Sequence, residues 1–169
     1  YMAYSEEAVE VGVFAKENTP EDAVFITGTQ HLNPVVAIAG RTIVCGPDLW
    51  LYWHGFDTRE RQAEIAAFLE NPAEHMEIAE KYGAGYVYIS SYERSSYDVD
   101  EEGLAELGLK IFENGEATVY KLLPADAAEE TDEQAEERDD RRKKPAAWNK
   151  TRKIQRNAVQ TGRYVIESS

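Results

Sequence analysis

Ala23-Val24-Phe25-Ile26-Thr27-Gly28 decides the fold. Its four successive apolar side chains lie between Asn18-Thr19-Pro20-Glu21-Asp22 and Gly28, a run too short for a helix and bounded by turn formers. Uniform apolarity, without alternation, marks a strand covered on both faces, so the run predicts the first central strand of a sheet.

Upstream, Ala8, Val9, Val11, Val13 and Phe14 recur among Glu6, Glu7, Glu10 and Lys16, a helical stripe that stops at Asn18-Thr19-Pro20. Downstream, the polar loop Thr29-Gln30-His31-Leu32-Asn33 leads to Pro34, which suits a first helical turn. Val35-Val36-Ala37-Ile38-Ala39 before Gly40 then makes a short helix, with a strand as the alternative. Arg41-Thr42-Ile43-Val44-Cys45-Gly46 predicts the second strand, closed by Gly46-Pro47.

The segment from Asp48 to Phe56 is dense in aromatics and has no clean period. Asp57 with Glu60 three residues later resembles a capping box, predicting a helix that runs to about Glu70. Asn71-Pro72 interrupts it, and a second helix spans Ala73 to Tyr82 before Gly83. Tyr86-Val87-Tyr88-Ile89-Ser90 is the next strand. Leu109 to Phe112 and Ala117 to Leu122 then form a hairpin, with Asn114-Gly115 as a type I′ turn signal.

Helices alternating with strands and ending in a hairpin predict the α/β class: three layers, a mainly parallel sheet and an antiparallel C-terminal hairpin, followed by a flexible charged tail. The domain is expected over residues 1–123. A charged linker follows over 124–147, with Glu129-Glu130 early and Arg141-Arg142-Lys143-Lys144 late. The tail over 148–169 holds too few apolar groups for its own core, and docks at most as a short helix or strand.

Of the net charge of −14, residues 1–125 carry all, with 22 acidic and 8 basic side chains, while residues 126–169 hold 10 of each. An acidic body repels phosphates, which argues against a nucleic-acid partner. No stretch approaches the roughly 20 apolar residues that span a bilayer. The opening Tyr1-Met2-Ala3 is neither an initiator methionine nor a signal peptide, so a segment of a longer polypeptide is expected. The single cysteine, Cys45, lies in an apolar run and reads as a small buried hydrophobe.

Three histidines without metal-ligand spacing and one cysteine give no support for a zinc site, and neither a phosphate-loop nor a nucleophile-elbow pattern is present. No catalytic residue is assigned. The richest cluster is Trp50, Tyr52, Trp53, His54 and Asp57, followed by Arg59, Glu60 and Arg61. Flat apolar faces beside polar groups suit a sugar or sugar phosphate; the competing reading has the aromatics closing the core, with Arg59 and Arg61 in ion pairs. His31 and Asn33, after the first strand, and Tyr92 and Arg94, after Tyr86 to Ile89, join the candidate substrate-binding set, because α/β sheets place ligands at the carboxyl ends of their strands. The two clusters are expected to face each other across that edge.

The order of Asn18-Thr19-Pro20-Glu21-Asp22-Ala23-Val24-Phe25, Gly40-Arg41, Gly46-Pro47, His54-Gly55-Phe56-Asp57, Arg59-Glu60-Arg61 and Lys81-Tyr82-Gly83 with Tyr86-Val87-Tyr88-Ile89 carries a family likeness. It resembles the C-terminal extracytoplasmic domain of multi-spanning GT-C-type membrane glycosyltransferases, such as protein mannosyltransferases, and of related uncharacterised membrane proteins. The resemblance covers roughly residues 6–123. It implies a parent that transfers a sugar from a polyprenyl-phosphate donor, with this domain on the extracytoplasmic side of the cell membrane, assisting acceptor or donor binding. Partners are then the transmembrane part of the same chain and a polyprenyl-phosphate sugar or glycan acceptor. No cofactor is implied for this segment, and any divalent metal belongs to the parent's membrane-proximal loops. The alternative is a non-catalytic glycan-binding or protein-interaction domain of a membrane protein.

Overall fold

The computed structural model describes residues 3–123, so the expected linker over 124–147 and tail over 148–169 lie outside the described residues. Helix α1 (Glu6–Asn18) starts where the Ser5 hydroxyl accepts the Ala8 N–H, and Glu6 and Glu7 sit at the positive end of its dipole. It buries Ala8, Val11, Gly12 and Ala15. Gly12 permits close packing, since a Cβ there would meet Ile38 Cβ at 2.7 Å.

The chain continues through β1 (Val24–Ile26), α2 (Pro34–Ala37), β2 (Thr42–Ile43), α3 (Asp48–Trp53), α4 (Arg59–Glu70) and α5 (Met76–Tyr82). It ends with β3 (Ala84–Ile89), α6 (Ser91–Ser96), α7 (Glu101–Leu107), β4 (Gly108–Glu113) and β5 (Thr118–Leu122). The five strands form one sheet in the order β2-β1-β3-β5-β4. β1 pairs parallel with β2 and with β3, whereas β5 pairs antiparallel with both β3 and β4. The expected α/β class, with a parallel centre and an antiparallel hairpin at one edge, is what the chain adopts.

The strand pleat divides the core into two layers. Phe25, Tyr86, Tyr88 and Val119 pack with Val11 and Ala15 of α1 and Val35 of α2. Ile26, Val87, Ile89, Tyr120 and Leu122 pack on the other face, with Ile65, Phe68 and Leu69 of α4, Ile78 of α5 and Leu104 of α7. The central apolar runs are thus covered from both sides, giving the three layers their sequence implied.

Several local expectations change. The segment Pro34–Ala37 is helical, the first of the two alternatives, with Pro34 in its first turn. The helix expected over 73–82 begins only at Met76, because Pro72 opens a turn closed by the His75 N–H on its carbonyl. No capping box forms at Asp57 and Glu60: α4 starts without a side-chain cap, and Asp57 binds the Arg59 backbone N–H and guanidinium instead. Helices α6 and α7 were not anticipated. Each is short and is started by a side-chain cap, Ser90 on the Tyr92 N–H and Asp100 on the Gly103 N–H.

The hairpin is present, but its turn is not type I′, which requires positive φ at both central residues. Among the described residues only Gly40, Gly55 and Gly83 have positive φ. The loop spans Asn114 to Ala117, closed by the Asn114 N–H on the Ala117 carbonyl at 2.9 Å. Asn114 Oδ1 accepts from the Glu116 and Ala117 N–H groups, while its Nδ2 donates to the Glu7 carbonyl and to Glu10 of α1. These tertiary bonds select the wider loop. Gly115→Ala should therefore be neutral or stabilising by up to about 1 kcal/mol, where a type I′ turn would lose stability, while Asn114→Ala should cost about 1–2 kcal/mol. Urea unfolding of the two variants checks both.

Two tyrosines make the fold alkali-sensitive. Burial of Tyr88 and Tyr120, at 2% and 1% exposure, pushes each phenol up to about 12 from its ordinary 10.0, with Glu101 adding to the effect at Tyr120. The folded chain then holds more protons than the unfolded chain between these values. Their contribution to stability is complete below pH 10 and is lost as pH rises toward 12. Phenolate absorbance during alkaline titration should show two phenols ionising only as pH approaches 12, together with unfolding.

Candidate functional site

Three chain segments meet the carboxyl edge of the parallel strands: the loop after β1, the segment from Val44 through α3 after β2, and α6 after β3. The strand order places β2 on one side of β1 and β3 on the other, so the chain reverses its direction of winding between β1 and β3, where open α/β sheets form crevices.

At that point Glu93 is fully buried. Its Oε1 accepts the Gly28 N–H at 2.9 Å, and its Oε2 accepts the Ser90 N–H at 2.8 Å and the Ser90 hydroxyl. A carboxylate with three donors closes the crevice between β1 and β3 with protein groups. Tyr92 lies against Gly28, where an added Cβ would meet its ring at 2.7 Å, and its hydroxyl is 3.4 Å from Thr29 Oγ1. Asn33 is buried and caps α2, accepting the Val35 N–H and donating to Thr27 Oγ1. His31 is exposed in the same loop.

The aromatic segment does not close the core. Trp50, Tyr52, Trp53 and Phe56 are 55%, 68%, 76% and 61% exposed, and no residue of α3 is buried. Leu51 alone from this helix packs against the core. Helical spacing sorts the rest into two faces. Leu49 and Tyr52, with Asp48 and Phe56, line an open groove of about 460 Å³ that Asp57, Arg59 and Gln62 complete. Trp50 and His54 meet on the other side with ring centroids 4.2 Å apart and planes tilted by 40°, and Trp53 and Tyr52 meet edge to face with centroids 5.7 Å apart. The His54 Nδ1–H donates to the Trp50 carbonyl at 2.7 Å, and Nε2 has no hydrogen-bond partner among the described residues.

Arg59 and Asp57 form a bidentate fork, with Nε–Oδ1 at 3.0 Å and Nη2–Oδ2 at 2.6 Å, both side chains largely exposed. The Arg59 guanidinium holds the Asp57 carboxyl down to about 2. Arg61 leaves this group: its Nη1 donates to the Val44 carbonyl, and its guanidinium lies over the Tyr82 ring at 5.5 Å. Arg94 turns toward the hairpin, paired with Glu101 and bonded to the Glu116 carbonyl and Thr118. The structure thus brings Asp57 and Arg59 together with Tyr52 and Phe56, leaves Trp50, Trp53 and His54 outside that groove's lining, and among the described residues has no hydrogen bond joining Tyr92 or Arg94 to the groove. Sequence reasoning passed over the groove's Gln62, whose signal is its place one helical turn beyond Thr58 and Arg59.

A second cavity, between α4 and α5, is lined by Glu60, Glu64, His75 and Lys81. Lys81 bridges both glutamates and Tyr82 donates to Glu64, so its polar groups tie the two helices together. Among the described residues no group of three His, Cys, Asp or Glu side chains is placed to hold a metal ion, and no helix is long and apolar enough to cross a membrane.

This architecture has a solved counterpart. The chain is similar in fold to the crystallised C-terminal globular domain of an oligosaccharyltransferase from Archaeoglobus fulgidus. The match has a TM-score of 0.52 at 14% identity, and covers 72% of this chain and 100% of the other. No protein-family model and no curated protein matches the sequence. The likeness is therefore one of fold, and it accounts for that globular domain over its whole length.

Proposed function

We propose that this domain is the extracytoplasmic C-terminal lobe of a membrane glycosyltransferase that moves a sugar from a polyprenyl-phosphate donor, and that it assists acceptor or donor binding. The observation that carries the reading is the fold shared with the whole C-terminal globular domain of an oligosaccharyltransferase. The groove beside α3 supports it chemically. Tyr52 and Phe56 offer ring faces, and the Asp57–Arg59 fork with Gln62 offers acceptors and donors for sugar hydroxyls. Bond-making groups and any divalent metal belong, in this reading, to membrane-proximal loops of the parent chain.

The deciding experiment is to read the gene upstream of Tyr1 and assay the full chain in membranes. Multiple hydrophobic spans with an acidic residue in the first external loop, and transfer of labelled sugar from a polyprenyl-phosphate donor, are the expected results. In that assay Arg59→Ala should raise KM and leave kcat nearly unchanged, since the fork binds and does not react. An upstream region without spans overturns the reading. Saturable glycan binding by a parent without transfer would make this a binding module instead.

A further inference from the structure

We propose that α3 is an interfacial helix, resting in the headgroup region of a neutral bilayer through Trp50 and Trp53. This rests on the proposed membrane attachment and says which side of the domain meets the lipid.

Four features lead there. The first is exposure: a six-residue helix that buries none of its side chains yet carries two tryptophans, a tyrosine and two leucines is held by little besides Leu51. The second is chemistry. Trp and Tyr pair a large apolar body with one hydrogen-bonding group, which suits the boundary between headgroups and acyl chains. The polar groups a sugar would need lie around the groove on the other side of the helix. Beside Trp50 the available one is His54, whose Nδ1 already serves the Trp50 carbonyl.

The third feature is charge. With 22 acidic and 8 basic side chains over residues 1–125, the domain is repelled by anionic lipid. The cation that lines the adjoining groove, Arg59, is forked to Asp57. The surface that fits is neutral. The fourth is topology. Helix α3 leaves the carboxyl end of β2, and α1 begins at the same end of the sheet. There the Ser5 hydroxyl donates to Glu116 and the Glu7 carbonyl accepts from Asn114, in the loop that precedes Thr118, the partner of Ile89 at the end of β3. A span feeding α1 would approach the domain from the side on which α3 projects.

The test uses the 169-residue chain with Trp148→Phe, so that Trp50 and Trp53 are its only tryptophans. It is mixed with phosphatidylcholine vesicles whose acyl chains carry bromine near the headgroups. Blue-shifted and quenched emission is expected, with weaker quenching when phosphatidylglycerol replaces part of the lipid at low salt. A Trp50→Ser/Trp53→Ser chain should keep its circular dichroism and unfolding midpoint, and sediment with vesicles about tenfold less well. Emission that is indifferent to millimolar vesicles overturns the proposal, as does emission that responds saturably to an oligosaccharide and not to lipid. Spans upstream without vesicle quenching would sink the interfacial helix alone; quenching without upstream spans would sink the glycosyltransferase reading and leave the helix standing.

Discussion

Arg41→Lys should destabilise the domain almost as much as Arg41→Ala, by about 3 kcal/mol, although it keeps the charge. Arg41 is 9% exposed and has no carboxylate partner among the described residues. Its guanidinium is satisfied by oxygen atoms alone. Nε donates to Thr19 Oγ1 at 3.1 Å, Nη1 to the Ala39 carbonyl at 3.1 Å, and Nη2 to the Lys16 and Thr19 carbonyls at 2.7 and 2.9 Å. The Lys16 carbonyl belongs to the last turn of α1, where carbonyls lack helical partners and the dipole favours a cation.

One side chain therefore closes the end of α1, fixes the turn into β1 and ties both to the start of β2. A lysine brings one nitrogen to a site built for a planar fork of three, so buried carbonyls go unpaired at about 1–3 kcal/mol each, less whatever water recovers. Urea unfolding followed by circular dichroism should show both variants with lowered midpoints and unchanged slope. A lysine variant as stable as the parent would show that charge at the helix end, and not the fork, is what the site requires.

Arg41 also shows where sequence reading stops. In the sequence it is only the first residue of the run Arg41 to Gly46 and the second of the pair Gly40-Arg41, and nothing local says that a charge will be buried. Its partners at Lys16 and Thr19 are 25 and 22 residues away. The strands were legible for the opposite reason: Val24 to Ile26 and Tyr86 to Ile89 are covered on both faces, and complete coverage leaves an unbroken apolar run.

Helix starts fall between these cases. Asp57-x-x-Glu60 and Ser90-x-x-Glu93 both fit the capping-box pattern, and only the second forms one. At Asp57 a neighbouring Arg59 takes both carboxylate oxygens, and an ion pair two residues away outcompetes the cap. At Ser90 no cation intrudes, and burial commits Glu93 to backbone N–H groups. Of the candidate site, the clustering of Asp57 and Arg59 beside aromatics was legible. The division of α3 into a groove face and a tryptophan face was not, because it depends on Leu51 being the side that packs inward.

Glu93→Gln should cost about 2 kcal/mol and Glu93→Ala about 3–4 kcal/mol, the second large effect expected in this chain. The carboxylate accepts from two different strand ends at once, Gly28 after β1 and Ser90 after β3. Glutamine keeps the shape but turns one acceptor into a donor. If its oxygen serves Gly28, its nitrogen confronts the Ser90 N–H; if it is reversed, the Gly28 N–H is the one left unpaired, in a site with no exposure to water. Alanine removes both acceptors, leaves a cavity and strips α6 of its capping box.

The coupling can be measured directly. Ser90→Ala removes the hydroxyl that donates to Glu93 and accepts the Tyr92 N–H, so a double-mutant cycle of Ser90→Ala with Glu93→Gln should be non-additive by about 1 kcal/mol. Amide exchange should report the same loss locally, with the Gly28 and Ser90 N–H groups losing protection in Glu93→Gln before the sheet amides of Val87 and Tyr88 do. Full additivity, or protection lost uniformly across the sheet, would show that Glu93 acts as ordinary core filling. Selective loss at Gly28 and Ser90 would make it the clasp that keeps the loops at the carboxyl edge of β1 and β3 in register, beside the segment where the groove and α3 are built.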